Sequence, residues 1–207
     1  MAPPEDWTDD SVVIQKPLLL IAESLRQFYM EIRIRKALTS DIPALEQLIS
    51  ESARVLSSGY YTIPQIESAV INIFGVDTQL IADGTYYVAE SENQIVGCGG
   101  WSKRKTLYGG DRAKADVPDE VLNPKTEPAR IRAFFVHPDW SRRGIGRRII
   151  EVCEEAARAA HFATLELAAT LPGEPLYKAC GYETDERFDI SLPDGLKLPV
   201  ARMRKRI

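Results

Sequence analysis

The segment that most constrains the fold is a strand pattern that runs through a glycine-containing turn into a long amphipathic helix. Residues 131–136 are apolar, β-branched or aromatic at most positions and predict a strand. The turn that follows reads Arg142-Arg143-Gly144-Ile145-Gly146-Arg147, and apolar residues then recur at helical spacing as far as Ala160. A chain with this unit is expected to pack helices against a β-sheet.

The remainder of the chain from Glu31 onward alternates between strand and helix patterns. Further strands are predicted at 32–35, 86–90, 94–101, 164–169, 182–190 and 196–204, and further helices near 42–53, from Thr62 and at 174–179. Hairpins combined with strand–helix–strand units predict an α/β (α+β mixed) fold with three α/β/α layers around a mostly antiparallel mixed sheet. Residues 102–128 are polar and predict a long loop, either a lid over an acceptor site or a surface insertion.

Residues 1–29 differ in character and predict an N-terminal extension before a domain at 30–207. The extension is acidic and then apolar, with a short helix expected near Leu18 to Phe28. It could pack on the domain, mediate self-association as a homodimer, or have little role. No membrane span or secretory signal is predicted, because Glu23 interrupts the apolar run and acidic residues precede it.

The net charge and the cysteine content indicate which classes of protein the chain can belong to. The formal net charge is −4, which argues against a dedicated nucleic-acid-binding protein, although the arginine cluster at 142–148 keeps that as a weaker hypothesis. Cys98, Cys153 and Cys180 are isolated from one another in the sequence. An odd number of cysteines without metal-ligand spacing predicts reduced thiols in a cytoplasmic protein.

The turn at 142–147 has the composition of a phosphate-binding site. Gly144 and Gly146 allow the backbone to turn tightly, and the first turn of a helix presents unpaired N–H donors and partial positive charge. The guanidinium groups that surround it belong to Arg142, Arg143, Arg147 and Arg148. The turn lacks the Gly-Lys-Ser/Thr ending of a P-loop and the third glycine of a dinucleotide fingerprint. A flexible turn with solvated arginines remains the alternative.

These residues resemble the signature of the GNAT superfamily of acyl-CoA N-acyltransferases. In that family a strand often ending Val-x-Pro precedes Gln/Arg-x-x-Gly-x-Gly/Ala at a helix start. Phe135-Val136-His137-Pro138 and Arg143-Gly144-Ile145-Gly146 match it, whereas Ser141 stands where Gln or Arg is usual. The run from Pro175 to Tyr182 is similar to the family's second landmark, which contains a Tyr followed by Gly-Phe/Tyr.

The resemblance covers about residues 31–207 and implies acetyl-CoA as acyl donor, no metal, and direct transfer to an amine of a small molecule or peptide. The main chain at Phe135 and Val136 would hold the pantetheine arm. The residues that would hold the pyrophosphate are Arg142, Arg143, Gly144, Ile145, Gly146 and Arg147. Tyr177 would protonate the leaving sulfur, and the Val136 N–H would polarise the thioester carbonyl.

The general base and the acceptor pocket are less well defined. Arg130 and Arg132 stand where many relatives place a carboxylate, and Glu166, Glu174 and His137 are each also explained by structural roles. The candidate acceptor-site residues are Tyr60, Tyr61, Trp101 and Arg132. The absence of an evident base keeps a non-catalytic acyl-CoA-binding sensor as the alternative function.

Overall fold

Seven strands and five α-helices form the described part of the chain, residues 31–113 and 120–207 of the computed structural model. The strands are β1 (Arg33–Lys36), β2 (Tyr86–Ser91), β3 (Gln94–Ser102), β4 (Ala129–Val136), β5 (Thr164–Thr170), β6 (Glu183–Ser191) and β7 (Lys197–Arg206). The helices are α1 (Ile42–Leu56), α2 (Ile63–Asn72), α3 (Thr78–Ala82), α4 (Ile145–Ala159) and α5 (Glu174–Ala179). The predicted extension at 1–29 and its helix lie outside the described residues.

All seven strands belong to one sheet with the order β1-β2-β3-β4-β5-β7-β6. Each neighbouring pair is antiparallel except β4 and β5, which run parallel. The predicted fold class, an α/β protein with a mostly antiparallel mixed sheet, is therefore confirmed. The parallel pair lies at the centre of the sheet and is connected by α4, the helix that follows the glycine turn.

Helices cover both faces of the sheet, as two adjacent residues of β3 show. A Cβ atom on Gly97 would lie 2.7 Å from the Ile145 side chain, so this face of β3 packs directly against α4. Cys98 belongs instead to the cluster that contains Leu45 and Ile49 of α1. Because successive strand residues point to opposite faces, α1 and α4 lie on opposite sides of the sheet.

The helix starts follow the capping chemistry of the sequence. The Thr62 side chain accepts a hydrogen bond from the Gln65 N–H, and the Gln65 side chain accepts one from the Thr62 N–H, as the predicted capping box requires. The sequence patterns missed α3, because it has only five residues. Asp77 caps it by accepting a hydrogen bond from Leu80 N–H.

Two further observations concern membrane-spanning helices and the state of the cysteines. Among the described residues, no helix combines the length and apolar character needed to cross a bilayer. The cysteines are free thiols, with Cys98 and Cys153 buried and Cys180 half-buried. Burial raises the pKa of Cys98 to about 12, so this thiol stays protonated and behaves as part of the core.

Candidate active site

The parallel pair β4 and β5 separates soon after it forms. Only Ala129 with Leu165 and Arg130 with Glu166 are in register, and the rest of β4 does not pair with β5. Ala133 has a φ of 54°, and the register of β4 against β3 shifts in this region, which marks a β-bulge. The bulge bends β4 away from β5 and leaves one backbone edge of β4 open at the centre of the sheet.

A cavity of about 620 Å³ occupies this opening. Its wall includes residues 131–136 of β4, most of the predicted phosphate-binding turn, and much of α5. Further parts of the wall come from the end of α1, residues 73–75, residues 107–110, the end of β5 and the last two strands. The structure therefore brings Phe135, Val136 and Tyr177 together with the turn around one cavity, as the sequence predicts.

The turn presents backbone N–H donors to this cavity. Arg142 and Gly144 have positive φ values of 63° and 79°, which reverse the chain before α4 begins. The first helical hydrogen bond runs from Arg148 N–H to Gly144 O, so the amides of 145–147 precede it in the helix. A Cβ on Gly146 would lie 2.7 Å from Leu176, so glycine there lets α5 pack closely against the start of α4.

The N–H of Val136 points toward the open edge of β4. The next N–H along the chain, that of His137, donates to Val96 O on the β3 side. Successive backbone N–H groups of a strand point to opposite edges. Val136 N–H is thus directed away from β3, toward the edge that β5 leaves unpaired, where it can serve as a hydrogen-bond donor to a ligand.

The side chains of the four arginines in the turn make different contacts. Arg142 and Arg147 line the cavity, and Arg147 also donates to Ala179 O. Arg143 does not line it, because its guanidinium stacks on Trp140, 4.8 Å from the ring centre. Arg148 donates to Ile32 O in the residues before β1. In this structure the side chains of Arg143 and Arg148 therefore lie outside the cavity wall, and the phosphate-binding role of the turn stays a prediction.

Tyr177 is held in the cavity wall by other aromatic rings. Its ring makes edge-to-face contacts with Phe134, at 6.1 Å, and Tyr182, at 5.8 Å between centroids. A Cβ atom on Gly99 would lie 2.7 Å from the Phe134 ring, so the glycine leaves room for that ring. Burial raises the pKa of Tyr177 well above its usual range, so the hydroxyl remains protonated at neutral pH.

The predicted acceptor residues divide into two groups. Tyr60 and Arg132 line the cavity. The Tyr61 hydroxyl instead joins two segments, donating to Pro199 O at 2.7 Å and accepting from Leu171 N–H at 2.8 Å, and burial raises its pKa to about 12. Trp101 does not line the cavity, because its ring packs edge-to-face on Phe162 beyond the end of α4. Trp101 and Tyr61 therefore lie outside the cavity wall, Tyr61 joins two segments through its hydroxyl, and the acceptor roles stay predictions.

The arginines of β4 form buried ion pairs. Arg130 pairs with Glu166. Arg132 lies 2.7 Å from Asp77 and also donates to Gly109 O at 2.6 Å, and the two paired side chains are only 2% and 0% exposed. Arg132 thus connects β4, the start of α3 and the loop at 107–110. Sequence reasoning missed Asp77, because nothing in a local pattern relates it to a residue 55 positions away.

The candidate bases do not line the cavity. Glu166 pairs with Arg130 and Arg204, and Glu174 pairs with Lys178 and Arg187. The His137 ring accepts from Asp139 N–H and caps the short 3₁₀ turn at Pro138–Trp140. Among the described residues, the wall contains no Asp, Glu or His side chain, and no group of three or more such residues or cysteines could hold a metal ion.

A hydrogen bond that the sequence patterns did not predict supports the bulge of β4. The Tyr86 hydroxyl, fully buried, donates to Ala133 O at 3.2 Å and lies 3.2 Å from Cys98 Sγ. A Cβ on Gly100 would lie 2.9 Å from the Tyr86 ring, so glycine in β3 leaves room for this side chain beneath the strand. The Tyr86 side chain, from β2, therefore passes beneath β3, and its hydroxyl holds Ala133, the residue of β4 that has a positive φ.

Comparison with known proteins agrees with this geometry. The family model described as an acetyltransferase (GNAT) domain matches residues 82–184. The chain carries a GNAT acetyltransferase domain. No curated protein matches it significantly. The matched GNAT range contains the bulged β4, the turn, α4 and Tyr177, whereas α1 with the adjacent Tyr60, and β7, lie outside it.

Solved structures show the same fold at low sequence identity. A GCN5-related N-acetyltransferase from Rhodopseudomonas palustris is 20% identical, with a TM-score of 0.60 over 84% of this chain and 95% of its own. The paiA N-acetyltransferase from Thermoplasma acidophilum, solved in complex with coenzyme A, is 14% identical, with a TM-score of 0.56 over 86% and 100%. The yncA protein from Salmonella typhimurium, solved with its cofactor acetyl-CoA, is 13% identical, with a TM-score of 0.57 over 85% and 94%.

Proposed function

We propose that this GNAT domain transfers the acetyl group of acetyl-CoA directly to a primary amine of a small molecule or peptide. The observation that carries the proposal is the single cavity that joins the α4 turn, the open edge of β4 and Tyr177. Two solved structures of the same fold were determined with coenzyme A or acetyl-CoA, which supports CoA as the ligand of this cavity. The isolated, free cysteines support a cytoplasmic location.

Each part of the cavity has a task in this reaction. The amides of 145–147 and the guanidinium groups of Arg142 and Arg147 bind the pyrophosphate, because helix starts and arginines favour phosphate oxygens. The open edge of β4 at Phe135 and Val136 hydrogen-bonds the amide groups of the pantetheine arm, as an added strand would. This fixes the thioester beside Val136 N–H and Tyr177.

The chemical step then needs a donor to oxygen and a proton for sulfur. Val136 N–H stabilises the negative charge that develops on the carbonyl oxygen when the amine attacks. The bond from carbon to sulfur breaks, and the Tyr177 hydroxyl gives its proton to the sulfur. The attacking nitrogen loses one proton, which restores Tyr177 through solvent, so the products are a neutral amide and a free thiol.

A second candidate, an acyl-CoA sensor without turnover, is favoured by one observation. The described cavity wall contains no carboxylate or imidazole that could serve as a base. Incubation with acetyl-CoA and a panel of amines separates the two functions. The proposed enzyme releases free thiol only when a suitable amine is present, whereas saturable CoA binding without any acylated product would establish the sensor.

The conformation of Gly144 makes a direct prediction for CoA binding. The site has a φ of 79° and no atoms within 4 Å of an added Cβ, so Gly144→Val meets no clash in the ligand-free protein and acts there through the backbone. Valine disfavours this conformation by about 1–3 kcal/mol, which should raise the Kd for CoA roughly tenfold in a calorimetric titration. The control is Gly195→Val, which has a φ of 82° and equal space but lies away from the cavity. An unchanged Kd in Gly144→Val would remove the turn from the binding site.

The support of the bulge by Tyr86 makes another prediction. Tyr86→Phe removes the hydroxyl of a fully buried side chain that donates to the Ala133 carbonyl, which should lower the free energy of unfolding by about 1–3 kcal/mol. It should also raise the KM for acetyl-CoA while the KM for the amine stays constant, since only β4 shifts. Tyr87→Phe, one residue further along β2, is the control. Equal effects of both variants on the KM for acetyl-CoA would contradict this role.

A further inference from the structure

Part of the cavity wall is formed by residues outside the turn, β4 and α5, and this part is mainly apolar and aromatic. Its apolar side chains include Ala53, Leu56, Ile73, Phe74, Leu198 and Val200. Phe74 makes an edge-to-face contact with Phe135 at 5.7 Å, and Tyr60 and Tyr108 are the partly exposed aromatic residues, at 51% and 38%. With CoA on the turn and the β4 edge, an acceptor entering the cavity meets this apolar and aromatic surface.

The charges in the wall are all of one sign. The ionised side chains among the described lining residues are Arg132, Arg142 and Arg147. Arg142 and Arg147 lie at the turn that is proposed to bind the pyrophosphate. A cation that enters beside α1 is therefore desolvated by apolar groups and meets no described carboxylate in the wall. The charge of Arg132 is balanced by Asp77 behind the wall, so the surface beside α1 is close to neutral.

We propose that the acceptor is an amine that bears an apolar aromatic side chain, has a pKa near 8 or lower and carries no second positive charge. This inference rests on the proposed function and names its substrate class. An α-amino group has a pKa of about 7.7–8.0, whereas a lysine side chain has one of about 10.4. Each unit by which the pKa exceeds the working pH reduces the uncharged, reactive fraction about tenfold.

Such an amine removes the need for a base in the wall. About a tenth of such an amine is uncharged at about pH 7, and the lone pair of this fraction can attack the thioester without the help of a base. The nitrogen-to-carbon bond forms as the carbon-to-sulfur bond breaks, and Tyr177 supplies the proton for the sulfur. The proton that leaves the nitrogen passes to solvent and replaces the one that Tyr177 gave. Polyamines and lysine side chains, by contrast, are almost wholly protonated at neutral pH, so they would have to lose a proton before entry or be desolvated as cations.

The test compares two amines of the same aromatic shape. Phenylalaninamide carries an α-amino group, and phenethylamine carries an alkylamine of higher pKa. We expect kcat/KM at about pH 7 to be roughly tenfold higher for phenylalaninamide, with the difference decreasing as the pH approaches the pKa of phenethylamine. A short peptide amide that begins with Phe shows whether the source is a peptide or a free amine, and spermidine represents a cationic acceptor.

The outcomes separate this inference from the proposed function. If spermidine or phenethylamine is preferred at about pH 7, the substrate class is wrong while acetyl transfer still holds. If no amine yields free thiol although CoA binds, the proposed function itself fails. The expected order is phenylalaninamide or the Phe peptide first, phenethylamine second and spermidine last.

A charge introduced into the wall provides an independent check. Leu56 lines the cavity, and its neighbour Val55 is 52% exposed and does not. Leu56→Glu should raise kcat/KM for spermidine roughly fivefold, because a carboxylate in the wall attracts the cation. Val55→Glu should leave it unchanged. An unchanged value in a folded Leu56→Glu variant would contradict the electrostatic basis of the proposal.

Discussion

Tyr177→Phe should lower the kcat of acetyl transfer by about 10²–10⁴-fold while the Kd for acetyl-CoA changes little. The substitution removes one hydroxyl from a ring that stays packed against Phe134 and Tyr182. Burial raises the pKa of Tyr177, so the hydroxyl carries its proton at neutral pH and gives it up only as negative charge develops on the departing sulfur. Its loss leaves the sulfur to depart as a thiolate, which is the less favourable leaving group.

Tyr182→Phe is the matched control for this experiment. Tyr182 is also buried and contacts the Tyr177 ring, but it does not line the cavity. Steady-state kinetics should show near-normal kcat in Tyr182→Phe and a large loss in Tyr177→Phe. Turnover within about twofold of wild type in Tyr177→Phe would exclude it as the acid, since general acids contribute at least a hundredfold. A parallel loss of acetyl-CoA affinity would instead make it a binding residue.

Asp77→Ala should be the most destabilising of the single substitutions considered. It leaves Arg132 as a buried guanidinium without its carboxylate partner, in a pair whose side chains are 2% and 0% exposed. Removal of one member of such a pair costs about 3–5 kcal/mol, mainly because the remaining charge stays desolvated. It also removes the cap of α3. Chemical denaturation should show the loss as a lower midpoint with a similar slope.

Two variants separate the buried pair from general sensitivity to charge removal. Glu67→Ala breaks the exposed pair with Arg54, at 43% and 46% exposure, and should leave the midpoint of denaturation unchanged. Asp77→Leu combined with Arg132→Leu removes both buried charges and should cost less than the two single changes added together. Additive losses would show that the pair itself contributes little and that capping and packing dominate.

Local chemistry explains why much of the fold was predictable. The capping box at Thr62 and Gln65, the helix at 174–179 and the hairpin of β2 and β3 follow from residues close in sequence. The glycine-containing turn at the start of α4 was also predictable, because its N–H donors belong to the backbone of one continuous segment. The position of Tyr177 in the same cavity followed from a motif, and its contacts with Phe134 and Tyr182 required the structure.

The features that were not predictable depend on residues far apart in the chain. Trp101 lies at the end of a strand where an acceptor site was expected, but its ring turns to Phe162. The Arg132–Asp77 pair and the support of Ala133 by Tyr86 each join different elements. The wall beside α1 likewise combines four distant segments, so its lack of acidic side chains among the described residues could not be read from a local pattern.

The most direct test of the central claim measures both products of one incubation with acetyl-CoA and phenylalaninamide. Free CoA thiol is measured with a thiol reagent, and N-acetylated phenylalaninamide and the intact protein are measured by mass spectrometry. Direct transfer predicts equal amounts of thiol and amide, dependence on both substrates, and no acetylated protein during turnover. Binding of CoA without amide from phenylalaninamide or from any other amine of the panel, or thiol release independent of amine, would contradict the account.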